Sequence, residues 1–187
     1  MALTPGRLIK TDGAPAGGVQ TTKDALPFGW ADISDSATIG TPISITGGAG
    51  YATLTNNASG SPTVFTYLPD GVTSAVWVTG TNAFDFSQLA VGDMVDLRID
   101  LSVTTTAANQ ELNVDLSMAI GGVTPFQIPI ISPLQIKTAG TYRVVHPVSF
   151  YIGSNDVRTN PARLRLSSPN NATVTVKGWY IRICRRG

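Results

Sequence analysis

The chain of 187 residues has 13% charged residues, a formal net charge of +1, one cysteine and one histidine. This balance argues against a protein that binds nucleic acid or a membrane surface through charge, and a lone cysteine excludes a disulfide framework and a cysteine-based metal cluster. The length allows one domain with a buried core plus a tail, and the abundance of threonine, valine, glycine and asparagine is typical of strands and turns.

The amino terminus lacks the apolar core of a secretory signal peptide. No apolar run approaches the ~20 residues that cross a bilayer. The most apolar segment, residues 123–134, is interrupted by Pro125, Pro129 and Pro133. We therefore expect synthesis in a cytoplasm and no membrane partner.

Residues 1–30 are predicted to form an extended N-terminal arm, and residues 31–187 a β domain. Glycine and proline interrupt the first segment too often for a helix, which predicts an extended segment without order until something holds it. Its apolar residues are Leu8, Ile9, Leu26, Phe28 and Trp30. An idle tail has no need of them, so an arm that docks on a neighbouring subunit and a trivial flexible terminus both remain open.

Strand signals begin at Ile33 and continue as a series of short runs. We predict strands at residues 41–46, 51–55, 63–68, 74–79 and 84–89. The glycine-rich segment 47–50 lacks the lysine and the following helix of a phosphate loop, which makes it a turn. The turn Pro69–Gly71 predicts that the strands on its two sides pair as a hairpin.

The most regular part of the chain is residues 95–120. Apolar side chains alternate with polar ones in two runs, 95–103 and 112–120, so each run has one apolar and one polar face. The apolar members are Val95, Leu97, Ile99, Leu101, Val103, Leu112, Val114, Leu116, Met118 and Ile120. The polar loop between the runs predicts that they pair as an antiparallel hairpin.

Four further segments complete the predicted strands. Residues 123–134 are expected at a sheet edge because proline cannot donate to a ladder. Residues 141–152 have apolar side chains on both faces, and Pro147 places this strand at an edge or a bend. Residues 162–167 are short, and residues 172–183 change phase at Lys177–Gly178, which predicts a bulge.

Many short strands without a convincing helix indicate an all-β domain: an antiparallel jelly-roll-type β-sandwich or a related barrel. An immunoglobulin-like sandwich is the alternative, but no cysteine pair brackets a tryptophan. Large apolar groups on both faces of 141–152 and 172–183 exceed what a two-layer monomer hides, which favours a symmetric oligomer.

The charges are segregated along the chain. Between Asp70 and Asp115 the charged side chains are acidic except for Arg98. From Gly140 onward the charged side chains are basic except for Asp156. The acidic segment and the basic segment are expected to form ion pairs between strands of one subunit. Ion pairs between subunits are the alternative.

The candidate acidic cluster is Asp96, Asp100 and Asp115, predicted to share the polar face of the central hairpin. Asp96 and Asp100 would lie about 13 Å apart along one strand, outside the range of either glycosidase geometry. Asp115 could approach either one across the hairpin, with Arg98 between them. A solvated face, a calcium site and a catalytic pair are open, and we expect the first.

Other chemistry-bearing residues are few. His146, the single histidine, and Cys184 are expected to be structural. Exposed aromatic side chains can stack on sugars, and the candidates are Tyr51, Tyr67, Trp77 and Tyr151, each of which is expected in the core instead. We therefore expect no enzyme, no catalytic, cofactor-binding or metal-ligating residues, and no cofactor.

Residues 84–93 (FDFSQLAVGD), running into 95–101 (VDLRIDL), resemble segments of jelly-roll virion proteins of tailed bacteriophages. The arm ahead of a compact β domain and the low-charge, threonine- and glycine-rich composition are also similar to those proteins. The resemblance implies a homotrimer that decorates or cements the capsid shell by binding the major capsid protein or another virion protein. It equally allows the receptor- or glycan-binding knob of a fibre or tail appendage. In both cases the protein is located in the virion.

Overall fold

A computed structural model describes residues 28–186. The predicted arm therefore lies outside the described residues, except at its end. Residues 28–30, which the sequence analysis assigned to the arm, belong to the first strand.

The regular elements of the described chain are mostly strands. They are β1 Phe28–Ser34, β2 Ile43–Ile45, β3 Ala52–Thr53, β4 Trp77–Val78, β5 Ala83–Phe84, β6 Met94–Thr105, β7 Gln110–Met118, β8 Phe126–Ile136, β9 Gly140–Tyr151, β10 Arg163–Ser167 and β11 Ala172–Cys184. Two short helices, α1 Ala37–Gly40 and α2 Asn155–Thr159, and a 3-10 turn at Ser74–Val76 lie between them.

The strands form two main sheets whose pairing is nested. One sheet has the order β1-β11-β6-β9, with β2 added beside β11, and the other has the order β3-β10-β7-β8. Along the chain, β1 therefore pairs with β11, β3 with β10, β6 with β9, and β7 with β8. A chain folded back as one antiparallel ribbon and then wrapped into two sheets is a jelly roll. The predicted fold class is confirmed.

The core lies between the two sheets and is filled by the alternating residues of β6 and β7. Val95, Leu97, Ile99, Leu101 and Val103 are at most 1% exposed, as are Leu112, Val114, Leu116 and Met118. The predicted apolar faces are therefore confirmed from Val95 to Val103 and from Leu112 to Met118, whereas Ile120 is only partly buried. The predicted solvent-exposed face of the second run is wrong, because Asp115 and Ser117 are also buried, at 3% and 8% exposure. The predicted pairing of the two runs is wrong, because β6 and β7 lie in opposite sheets and residues 106–109 cross between them.

Three other predicted strands have different structures. Of residues 84–89 only Phe84 lies in a strand, and the Leu89 amide donates to the Phe86 carbonyl in a turn. Residues 63–68 form no regular strand, although Asp32 bridges to Val64 and the Trp30 amide donates to the Tyr67 carbonyl. The hairpin with 74–79 is wrong because β4 pairs with β5 instead. The segment 63–68 turns at residues 66–67, where the Leu68 amide donates to the Phe65 carbonyl, so only Val64 pairs with β1 as a bridge.

The features predicted from proline, glycine and phase changes are confirmed. β8 and β9, which contain prolines 129, 133 and 147, are the edge strands at one side of the sandwich. The register of β11 shifts between Val176 and Gly178. Residues 47–50 form a turn with positive φ at Gly48 and Gly50, a region that favours glycine.

The segregated charges pair within the subunit. The described ion pairs are Asp100–Arg143, Asp115–Arg165 and Asp93–Arg185. Each joins an acid of residues 70–115 to a base of the segment that begins at residue 140. Nested strand pairing brings these segments together, so the intrasubunit interpretation is confirmed for these pairs.

Candidate functional site

The outer face of the five-stranded sheet is the surface that points away from the other sheet, and it carries an unusual apolar row. Residues directly opposite each other in antiparallel strands point to the same face. Phe28, Cys184, Met94 and Tyr151 are opposite one another in β1, β11, β6 and β9. Phe28 is 60% exposed, Met94 52% and Tyr151 67%. We call these four residues the terminal apolar row, because it crosses the sheet at one end.

Next to this row lies a line of stacked rings. Trp30 on β1 stacks on Tyr67 with ring centroids 4.8 Å apart and on Tyr180 of β11 with centroids 5.8 Å apart. The guanidinium of Arg98 on β6 lies 5.2 Å from the centre of the Tyr180 ring, within the range of a cation–π contact. The order of the strands places Trp30 and Arg98 on opposite sides of Tyr180, so neighbours cover both faces of that ring.

The charged residues of the outer face are of both signs. Arg143 donates to both carboxylate oxygens of Asp100, at 3.1 and 2.6 Å, and this hydrogen bond and charge raise the pKa of Arg143. Ser149 donates to Asp96 at 2.7 Å. A depression of about 320 Å³, lined by Asp32, Arg98 and Tyr180 among others, lies beside the bulge of β11. Its walls are a mixture of polar and apolar side chains, and it is open to solvent, whereas acid–base chemistry is favoured in a site from which water is excluded.

The candidate acidic cluster is not assembled. Asp96 and Asp100 lie on the outer face of β6, but Asp115 lies in the other sheet, where Arg165 donates to both of its oxygens at 2.9 and 3.0 Å. The prediction that Asp115 approaches Asp96 or Asp100 was wrong because it assumed that β6 and β7 pair. In residues 28–186 no group of three or more histidine, cysteine or acidic side chains is placed to hold a metal ion.

The candidate aromatic residues are dispersed. Trp77 is buried, as expected, but Tyr51, Tyr67 and Tyr151 are 43%, 58% and 67% exposed, so their predicted place in the core was wrong. Tyr51 lies on the other sheet, with the Arg165 guanidinium 4.7 Å from its ring centre. Only Tyr67 belongs to the line of stacked rings.

The single histidine and the single cysteine both lie on strands of the five-stranded sheet. His146 is exposed on the edge strand β9, opposite Ile99. Cys184 is the last residue of β11, is partly exposed, and belongs to the terminal apolar row. Among residues 28–186, neither belongs to a group of three or more histidine, cysteine or acidic side chains that could hold a metal ion.

Sequence reasoning missed most of the outer face. Phe28 and Trp30 had been assigned to the arm, and Met94 precedes the run recognised as regular. The alternation of residues 28–34 could have indicated that Phe28 and Trp30 lie in a strand. Its inward positions are Gly29, Ala31 and Ile33, and all three are buried. Tyr180 was indicated by the apolar groups on both faces of residues 172–183.

Comparisons with known proteins give structural likenesses only. No protein-family model matches the chain, and no curated protein matches it. A structure of the infectious bursal disease virus Gt strain is similar with a TM-score of 0.49 and 10% identity over 97% of this chain. The VP2 subviral particle of infectious bursal disease virus gives a TM-score of 0.47 and 9% identity over 96% of this chain. The chain spans 37% and 38% of the length of these two virus chains.

A carbohydrate-binding structure is also similar. The CBM22-1 xylan-binding domain from Paenibacillus barcinonensis Xyn10C has a TM-score of 0.41 and 10% identity, with 84% of this chain and 94% of that domain covered. Among residues 28–186, no helix is long and apolar enough to span a membrane.

Proposed function

We propose that this protein is a non-enzymatic structural protein of a bacteriophage virion: a homotrimeric head decoration protein that binds the major capsid protein and stabilises the shell. The observation that carries the proposal is the terminal apolar row on the outer face of a jelly roll. Contiguous exposed apolar residues rimmed by polar ones mark surfaces that contact another protein. The resemblance of residues 84–101 to phage virion proteins supports the same assignment.

The polar chemistry of the described residues also favours a structural role. Three carboxylates, those of Asp96, Asp100 and Asp115, accept hydrogen bonds from side chains on neighbouring strands. These contacts join strands to each other. A carboxylate held in this way is not free to act in acid–base catalysis.

The experiment has two measurements on the full chain. Light scattering on a sizing column is expected to give three times the chain mass. Sedimentation with undecorated capsid shells of the source phage is expected to bring the protein down with the shells and raise their melting temperature. Shells already saturated with the protein are the control. A chain that neither trimerises nor sediments with shells would contradict the proposal.

A glycan- or receptor-binding knob is the second candidate, favoured by the rings of Tyr67, Trp30 and Tyr180 beside the depression. Sugar stacking needs a free ring face, and only the outer face of Tyr67 has no ring partner in this line. The test is tryptophan fluorescence titrated with a panel of glycans, because Trp30 is the most exposed of the three tryptophans. A saturable change that Tyr67→Ala abolishes would favour the knob.

A further inference from the structure

We infer that the terminal apolar row is where a second copy of this chain docks. The inference rests on the proposed function, because it assigns the self-association of that assembly to one surface. Phe28, Cys184, Met94 and Tyr151 cross β1, β11, β6 and β9 as one continuous line. Three of the four side chains are more than half exposed. A lone subunit therefore exposes a large apolar area to water, which is unfavourable.

The charges beside the row favour a second copy over nucleic acid or membrane. The adjacent line across the same strands contains Arg182 and Asp96, which are opposite each other in β11 and β6. Among residues 28–186, Arg182 takes part in no ion pair. An anionic partner requires a net positive face. A face with both signs side by side is complementary to another copy of itself.

The edges of the sheets favour contact through a face. Edge strands associate when they present unbroken rows of free amides. Pro147 interrupts β9, and Pro129 and Pro133 interrupt β8, on the same side of the sandwich. At the opposite edge, residues 64 and 67 bond to β1. Growth of the sheet by strand addition is therefore hindered on both sides, and the outer face is left for association.

Cys184 provides a direct readout, because it lies between Phe28 and Met94 in the row. In the assembled wild type its thiol is expected to be protected from a maleimide reagent. Met94→Glu and, separately, Tyr151→Glu place a carboxylate in the contact. Each is expected to raise the concentration of half-dissociation by about tenfold or more, and to make Cys184 reactive.

Val123→Glu is the matched control. Val123 is 90% exposed and precedes β8 in the other sheet, so the substitution adds the same charge to an apolar surface position outside the row. It is expected to leave both the mass and the protection of Cys184 unchanged. All three positions are exposed, and unchanged melting temperatures of the separated subunits would show that the fold is kept.

Three outcomes would overturn the inference. An assembled wild type whose Cys184 reacts freely, and whose mass survives Met94→Glu, would place the contact elsewhere and leave the proposed function standing. If deletion of residues 1–24 makes Cys184 reactive without changing the mass of the assembly, the chain's own amino-terminal segment covers the row. A monomeric wild type that still binds capsid shells would remove the self-contact while keeping the attachment function.

Discussion

The side chain of Trp179 occupies the centre of the sandwich. It is 1% exposed, and its ring meets that of Trp77 edge-on with centroids 5.9 Å apart. Among the described residues its indole nitrogen has no hydrogen-bond partner, whereas that of Trp77 donates to the Asn56 carbonyl at 3.0 Å. The contribution of Trp179 to stability therefore comes from packing.

Trp179→Ala is expected to lower the free energy of unfolding by about 3–5 kcal/mol, since a large buried ring leaves a cavity. Trp30→Ala, on the outer face of the same sheet, is the control and is expected to cost about 1–2 kcal/mol. Urea unfolding measures both. An unchanged melting temperature for Trp179→Ala would show that the packing of β11 against the core is misassigned.

Asp156 organises the turn that precedes β8. Its two oxygens accept from the amides of Thr124 and Val123 at 2.8 and 3.1 Å, and from the Thr124 hydroxyl at 3.0 Å. The hydrogen bonds from the Thr124 amide, then the Val123 amide, lower the pKa of Asp156 below its ordinary value of 3.8.

A carboxyl group with a lowered pKa in the folded state stabilises the fold above its unfolded pKa, and this contribution disappears as the pH falls through the folded pKa. Asp156→Asn is therefore expected to be less stable than wild type near neutral pH. The difference should shrink as the pH falls below about 4. Urea unfolding over a series of pH values measures it, with Asp70→Asn as the control. A difference that is independent of pH would contradict the role of the charge.

At the scale of elements, the connection between β6 and β7 determines the layering. The inner faces of opposed sheets are about 10 Å apart, whereas paired strands are about 4.8 Å apart. Residues 106–109 therefore bridge the larger distance, and the Thr106 hydroxyl bonds to the Asn171 carbonyl at the same end of the sandwich. A tight two-residue turn would suit paired strands only.

Replacement of residues 106–109 by Asn-Gly is expected to lower stability by more than about 3 kcal/mol or to prevent folding, because it forces β6 and β7 towards one sheet. Insertion of Gly-Ser into the same loop is the control. It is expected to cost about half a kcal/mol or less, since loop entropy grows slowly with length. If the short turn instead stabilised the protein, as it would stabilise a hairpin, the placement of β6 and β7 in opposite sheets would be wrong.

At the scale of the whole molecule, the carboxyl-terminal end is tied into the fold. The Asp93 carboxylate is fully buried and accepts from the amides of Ala90 and Arg186 at 2.8 and 2.7 Å. The Arg185 guanidinium lies 3.7 Å from Asp93 and donates to the Asp70 carbonyl at 2.6 Å. Residues 185 and 186 are therefore held by contacts within their own subunit.

Deletion of residues 1–24 is expected to leave the fold intact, because glycine and proline interrupt this segment too often for a regular element, and to abolish binding to capsid shells. Thermal unfolding checks the fold, and sedimentation with undecorated shells checks attachment. Arg185→Ala is the matched variant at the other end, and it should retain shell binding. Full shell binding by the truncated chain would contradict the arm hypothesis.

The local features of this fold follow from the sequence because each depends on one residue type or on the period of two. Alternation in residues 95–103 and 112–118 identified the apolar side chains that fill the core, proline identified the edge strands, and Lys177–Gly178 identified the bulge. Alternation did not reveal that Asp115 and Ser117 are buried as well. The predicted hairpin of the short segments 63–68 and 74–79 was wrong, because a few β-prone residues do not distinguish a strand from a loop that packs beside one.

The partner of each strand was decided only by the tertiary structure. A period of two determines the face of a side chain, but the ladder hydrogen bonds come from the backbone, which is the same in every strand. The alternation of β6 and β7 therefore fits a hairpin and an inter-sheet crossing equally well. Nested pairing chose the crossing, separated Asp115 from Asp96 and Asp100, and placed Phe28, Cys184, Met94 and Tyr151 in one row although they are far apart in the chain.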